Sequence, residues 1–327
     1  MAIHAQLAGP FALGTFADGD GAPFPGLVAA ELVLDLRGIP ELGNPATTRD
    51  LLERWEEALV VLHRLADDGT QDWRPLDGLR TLPPVEPRQV LQSGANYRQH
   101  VIDLALAHRA LDDPRMPEEA RVQVAAMMDR RAAEDQPYMF IGLPSSITGP
   151  YDDVLLPAWC EKPDWELELT AVIGRPAYRV SPEEALAHVA AYTIANDLTA
   201  RELIFRKDMP EIGTDWLRSK NAPGFTPLGP YLVPADFVAD PSELQVVLKL
   251  NGETMQDEST KDMIFDVARM VSYASQTTTL LPGDLVLTGS PAGNGMHWGR
   301  LLRDGDVMDG TVTGLGAQRT RCIAEQR

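Results

Sequence analysis

The stretch Asp164-Trp165-Glu166-Leu167-Glu168-Leu169-Thr170-Ala171-Val172-Ile173-Gly174 sets the strongest condition on the fold of this chain. Its alternation predicts a β-strand with Glu166 and Glu168 on one face and Trp165, Leu167 and Leu169 on the other, in a core. Two neighbouring carboxylates on one face repel, so positive charge must sit beside them or water must reach them. A second apolar strand, Ala191-Tyr192-Thr193-Ile194-Ala195-Asn196, ends in Asp197. Between the two lies a capping box with proline at the first helical position, Ser181-Pro182-Glu183-Glu184, which predicts a helix through about Tyr192. A strand–helix–strand unit of this length can bring Asp197 beside Glu166 and Glu168. Three carboxylates around one point make an all-oxygen site for a hard cation, Mg²⁺ or Mn²⁺, with Ca²⁺ a further candidate. The plainer alternative is a wet strand face carrying unrelated acids, and alternation alone leaves both open.

Composition narrows the function classes. The chain has 327 residues, 44% of them apolar, which suffices for a sizeable core and for two domains or one domain with an appendage. Its 48 acidic against 29 basic residues give a formal charge of −19, which argues against nucleic-acid and anionic-membrane partners. The two cysteines, Cys160 and Cys322, form no disulfide framework and point to a reducing, cytoplasmic compartment. No apolar run nears the ~20 residues of a membrane helix, and Met1-Ala2-Ile3-His4 does not open a secretory signal.

Residues 1–85 read as a small N-terminal α/β domain. Val28 to Leu36 predicts a strand, and Leu51, Leu52, Trp55, Ala58, Leu59, Leu62 and Leu65 predict a helix with Thr48 as cap. Leu82-Pro83-Pro84-Val85-Glu86-Pro87 reads as an extended linker into a β-rich second domain, 86–327. There, Asn251-Gly252 predicts a hairpin, Asp262 to about Gln276 a helix, and residues 101–135 two helices broken near Asp113-Pro114.

Several segments together carry a resemblance: Asn96-Tyr97-Arg98-Gln99-His100, Glu166-Leu167-Glu168-Leu169, Asn196-Asp197-Leu198-Thr199-Ala200-Arg201-Glu202, Lys220, and Leu287-Thr288-Gly289-Ser290-Pro291-Ala292-Gly293. Over residues 88–325 the chain resembles the fumarylacetoacetate hydrolase family. The resemblance implies an α+β fold, a mixed β-roll catalytic domain behind the small N-terminal one, assembled as a homodimer. It implies a divalent cation on Glu166, Glu168 and Asp197, and a 1,3-diketo or 2-oxo acid chelated to it, with the ion acting as a Lewis acid. His100 is the implied base, with Asp103 one helical turn on to orient it. Lys220 is implied to hold substrate or its developing oxyanion, with Tyr97, Thr288 and Gly289 binding substrate. Arg201 reads as a brace for the ligand strand, and His297 is the one other histidine close to the motifs. The implied reaction is hydrolysis of a carbon–carbon bond, as on fumarylacetoacetate or an acylpyruvate. The alternatives are a decarboxylase, hydratase or isomerase on a related enolisable acid, and, more distantly, a metal-binding oligomer without catalysis.

The chain departs from the family pattern in four places. Ser93 stands where some relatives have a further aspartate ligand. Phe140-Ile141-Gly142-Leu143-Pro144 lacks the usual lysine, Ile204 replaces an amide, and Asp103 is shorter than the usual glutamate. Ile204 favours an apolar portion in the substrate. The segment 101–137, with Leu104, Ala107, Leu111, Val122, Val124, Ala125, Met127 and Met128, reads either as a helical lid that excludes water or as a packing or interface element.

Overall fold

The structure is a computed structural model that describes residues 6–107 and 117–326, without the side chains of 104–107 and 117. It is α+β and sheet-rich, as the resemblance implied. The N-terminal sheet runs Arg74–Pro75, Leu32–Asp35, Phe24–Ala29, Ala12–Ala17, Arg80–Leu82, all antiparallel. The single strand expected from Val28 to Leu36 is a hairpin instead. Ala30 takes φ +51°, a left-handed turn that a small side chain tolerates, and Leu27 pairs with Leu34 across it. The expected helix is likewise two, Thr48–Leu52 and Trp55–Ala66. The cap is Thr47, in a reciprocal capping box with Asp50, one residue before the expected Thr48. The apolar period survives the break because Leu51, Leu52, Ala58, Leu62 and Leu65 enter one core.

The site is carried by a mixed six-stranded sheet. Its order is Val233–Pro234, Val189–Asn196, Leu167–Ile173, Leu285–Leu287, Val90–Gly94, Tyr138–Gly142, and only the Leu285–Val90 pairing is parallel. The faces alternate as expected. Trp165, Leu167, Leu169, Ala171 and Ile173 enter a core shared with Val246, Leu248 and Met308 of a second sheet, and Gly310 of that sheet leaves room for the Leu167 side chain. On the opposite face Val172 joins Leu285, Leu287 and Val90 in a cluster with Phe11, Leu13 and Leu27 of the N-terminal unit. The whole strand Leu167–Ile173 is buried, so the wet-face alternative does not apply.

The helix after the Ser181 capping box is only Pro182–Ala185 plus a 3₁₀ turn to His188. The buried strand Val189–Asn196 claims the rest of the segment expected to be helical. Near the C-terminus, Asp266 caps a helix Val267–Thr277, so the helix starts later than Asp262. The Asn251-Gly252 hairpin forms, with φ +53° and +86° at its two residues. Helices Arg98–Ala107 and Pro117–Glu134 occupy the 101–135 segment, and the expected break at Asp113-Pro114 lies outside the described residues.

Candidate metal centre and substrate site

Antiparallel pairing of Leu167 with Asn196 brings the ends of the two buried strands together. The Asp197 amide then donates to the Glu166 carbonyl at 2.8 Å, which sets Asp197 beside the Glu-x-Glu pair. One oxygen each from Glu166, Glu168 and Asp197 lie within 4.8 Å of one another, and all three residues are buried. The expected triad is therefore assembled.

Its electrostatics explain how three acids share a dry space. Glu166 receives Arg201 on one oxygen at 2.7 Å, and Lys220 at 2.5 Å and Thr199 at 3.1 Å on the other. Burial pushes its carboxyl up, but the Arg201 and Lys220 charges more than reverse that, leaving it well below the usual range. Asp197 receives Gln92 at 2.5 Å and Lys220 at 2.6 Å on its two oxygens. Glu168 receives the Gly289 amide at 2.8 Å. Both remain above their ordinary values, first because of burial; for Glu168 the neighbouring Asp197 charge adds to it. Asp164, fully buried, shares Arg201 at 2.7 Å and accepts from the amides of Gly295 and Met296. Among the described residues four buried acids thus share two cations, a surplus of two carboxyl groups. An oxygen-rich donor set with that surplus fits a hard divalent cation.

Other expected site residues stand as follows. His100 is buried on the helix Arg98–Ala107. Burial holds its imidazole down at about 4, against the opposing charges of Glu166 and Asp103, so it is neutral at pH 7. Asp103 forms no hydrogen bond with His100. It accepts from Gln99 at 2.6 Å and faces Arg121 and His297 at 3.7 Å each. Lys220 directs its hydrogen bonds to Glu166, to the Asp197 carboxylate and to the Asp197 carbonyl, standing on the oxygens a cation would take. The Thr288 hydroxyl donates to the Leu169 carbonyl, and the Gly289 amide to Glu168, so both implied substrate donors are engaged by the ligand strand. The Tyr97 hydroxyl is buried with no hydrogen-bond partner among the described residues. Arg201 braces Asp164 and Glu166, as read from sequence.

Sequence reasoning missed Gln92, Thr199 and Asp164. Thr199 and Asp164 lay inside quoted motifs without an assigned role. Gln92 is one residue before the Ser93 position and is aimed at Asp197 by the strand Val90–Gly94. No periodicity marks such a residue, because its partner is 105 positions away.

The Fumarylacetoacetate (FAA) hydrolase C-terminal family model matches residues 89–323. The chain belongs to the fumarylacetoacetate hydrolase family. Among relatives, the mitochondrial oxaloacetate tautomerase FAHD2A of Bos taurus is 35% identical over 288 residues, 87% of this chain and 82% of that protein. The 2,4-didehydro-3-deoxy-L-rhamnonate hydrolase of Sphingomonas sp. (strain SKA58) is 43% identical over 195 residues, 59% of this chain and 66% of that protein. The fumarylacetoacetate hydrolase from psychrophilic Exiguobacterium antarcticum superposes with TM-score 0.74 at 30% identity, over 96% of this chain and 100% of that one. This member of the family is thus of an enzyme superfamily with tautomerases and hydrolases among its relatives. Among its described residues no helix is long and apolar enough to cross a membrane, and both cysteines are free.

Proposed function

We propose that the protein catalyses proton transfer next to the 2-oxo group of an oxo acid, as a tautomerase or isomerase. The buried acidic triad beside a neutral His100 is the observation that carries this reading. Glu166, Glu168 and Asp197 would hold Mg²⁺ or Mn²⁺, which when bound would draw electrons from the 2-oxo group and favour the enolate. His100 takes the proton from the adjacent carbon, being neutral and buried at working pH. Lys220 supplies a fixed positive charge where negative charge develops on the substrate. The Tyr97 hydroxyl, without a hydrogen-bond partner among the described residues, donates to a substrate oxygen, and Thr288 and Gly289 hold Glu168 and its strand in place for the ligand. Return of the proton from His100 to oxygen or to another carbon completes the reaction and leaves the base neutral. We place the enzyme in a reducing, cytoplasmic compartment as a homodimer, with the domain boundary near residue 85.

Hydrolysis of a carbon–carbon bond is the second reading, supported by the 43% match to a 2,4-didehydro-3-deoxy-L-rhamnonate hydrolase. It needs a water activated by His100 with Asp103 behind it. The tautomerase reading is preferred because Asp103 is bonded to Gln99 and not to His100. The deciding experiment incubates oxaloacetate and acylpyruvates with the protein and Mg²⁺ or Mn²⁺ in D₂O and follows them by NMR. Accelerated exchange at the carbon beside the 2-oxo group, with the carbon skeleton intact, is expected. Appearance of two carbon fragments selects hydrolysis, and CO₂ release selects decarboxylation.

A further inference from the structure

We propose that Phe140 and Trp216 form an aromatic wall of the substrate site and select 2-oxo acids carrying an apolar or aromatic substituent. The proposal rests on the reading that the carboxylate cluster receives a 2-oxo acid. Two independent pieces of chain geometry lead to this pair of rings.

The first is the sheet. Gln92 and Phe140 are direct partners in the antiparallel pairing of Val90–Gly94 with Tyr138–Gly142. Directly opposed residues lie on the same face, their Cβ atoms within roughly 5.5 Å. Gln92 spends its amide on Asp197 at 2.5 Å, so Phe140 stands on the site's face, one strand further out. The second is the helix. Trp216 and Lys220 open and close the short helix Trp216–Lys220 four residues apart, which places them on one side of it. Lys220 reaches Glu166 and Asp197, so Trp216 stands one turn back from the same oxygens.

The rings meet. Their centroids are 4.4 Å apart with an interplanar angle of 13°. The Trp216 indole N–H donates to the Tyr138 hydroxyl at 2.6 Å, and that hydroxyl lies 3.3 Å from Thr214. The stack is therefore held in one orientation, yet both rings stay half-buried rather than sealed in a core. Each ring stacks one face on the other, and Tyr138 flanks both, at 6.2 Å from Phe140 and 6.3 Å from Trp216 between centroids.

The strand beside Phe140 brings a neutral amide to this face, while the charges near Trp216 are paired, Asp215 with Arg206 and Lys220 with Glu166 and Asp197. At Gly142, two residues on from Phe140 on the same face, an added Cβ would come within 2.7 Å of the Gln92 amide oxygen, so the Gln92 amide fills the space beside Phe140. The buried Ile204 takes the place of an amide, and its carbonyl accepts from Asp215, the residue that caps the Trp216 helix. The site thus pairs an acidic, cation-seeking end with an aromatic end, the polarity of a 2-oxo acid with an apolar tail.

The test is calorimetric titration of the Mn²⁺-loaded 327-residue chain with pyruvate and with phenylpyruvate, which differ by one phenyl ring. The wild type is expected to prefer phenylpyruvate by about tenfold or more, and F140A and W216A to cut that preference to below about threefold. F140L and W216F, which keep apolar bulk and are less disruptive to folding, should restore part of it, and a thermal melt of each variant reports its fold. Equal affinities in the wild type, or a preference that survives both truncations, would overturn the wall and leave the 2-oxo acid reading intact. If Mn²⁺ binds but neither oxo acid does, the underlying reading falls and the wall falls with it.

Discussion

Single residues decide the charge state of the centre. Burial first, and then neighbouring carboxylates, Asp197 and Glu166 acting on Glu168 and Glu166 acting on Asp197, hold Glu168 and Asp197 above their ordinary values against the charge of Lys220. The E168Q substitution removes one repelling charge and one ligand oxygen. It is expected to raise the melting temperature of the metal-free protein, abolish its rise on adding Mn²⁺, and cut turnover by at least about a hundredfold. Melting curves with and without the ion, beside an exchange assay, check all three. His100 has the opposite linkage from a paired histidine. Its folded value is about 4, while the unfolded imidazole titrates near the ordinary 6.5. Between these values the unfolded chain binds a proton that the folded chain refuses, so stability rises with pH through that window and is level above it. In H100Q the stability slope between pH 4 and 6.5 should flatten, and turnover should fall by about 10² or more while Mn²⁺ affinity stays near wild type. Urea melts across pH and calorimetry of the ion read both. A slope unchanged in H100Q would remove the buried neutral imidazole from the account.

Among the elements, the helix Pro117–Glu134 separates packing from any lid role. Met128 is 1% exposed and sits in the main core, whereas its neighbour Met127 is 41% exposed. M128A should cost about 2–5 kcal/mol through cavity formation. M127S should stay within about 0.5 kcal/mol of wild type in a denaturant melt. If the helix closes over substrate, M127S selectively weakens the bulky 2-oxo acid, and parallel losses for all substrates leave the helix a packing element. Much of this scale was legible in the sequence. Alternation placed Trp165, Leu167 and Leu169 in one core, and Asn251-Gly252 marked its hairpin. The helix expected from Pro182 to Tyr192 was misjudged because the apolar residues Val189 to Ile194 suit a buried strand as well as a helix, and pairing with Leu167–Ile173 decides between them. Local propensity also could not divide Thr48–Leu52 from Trp55–Ala66, since both feed one core at helical spacing.

For the whole molecule, the two hydrophobic clusters share the site's sheet. Ala171 and Ile173 face one and Val172 the other, and the second cluster reaches into the N-terminal unit through Phe11, Leu13 and Leu27. An ion bound at the ends of the Leu167–Ile173 and Val189–Asn196 strands is therefore coupled to both. Mn²⁺ at a hundred times its dissociation constant should stabilise the protein by about 2.7 kcal/mol. EDTA should reverse the gain, and the melt should stay a single transition. A transition that splits, with only its later part moved by Mn²⁺, would show that the N-terminal unit melts apart from the site.

The sequence by itself determined which side of the Glu166–Glu168 strand is apolar, where the Ser181 capping box and the Asn251-Gly252 turn fall, and which three carboxylates carry the family's motif. Those are consequences of side-chain period and backbone preference, which act over a few residues. Only the tertiary structure decided which charges answer the acids. Gln92, Arg201 and Lys220 reach the cluster from separate segments of chain, and Asp103 turns to Gln99 and His297 rather than to His100. Such meetings depend on sheet register and helix docking, and the strength of a charge pair depends on the burial that only the assembled core supplies.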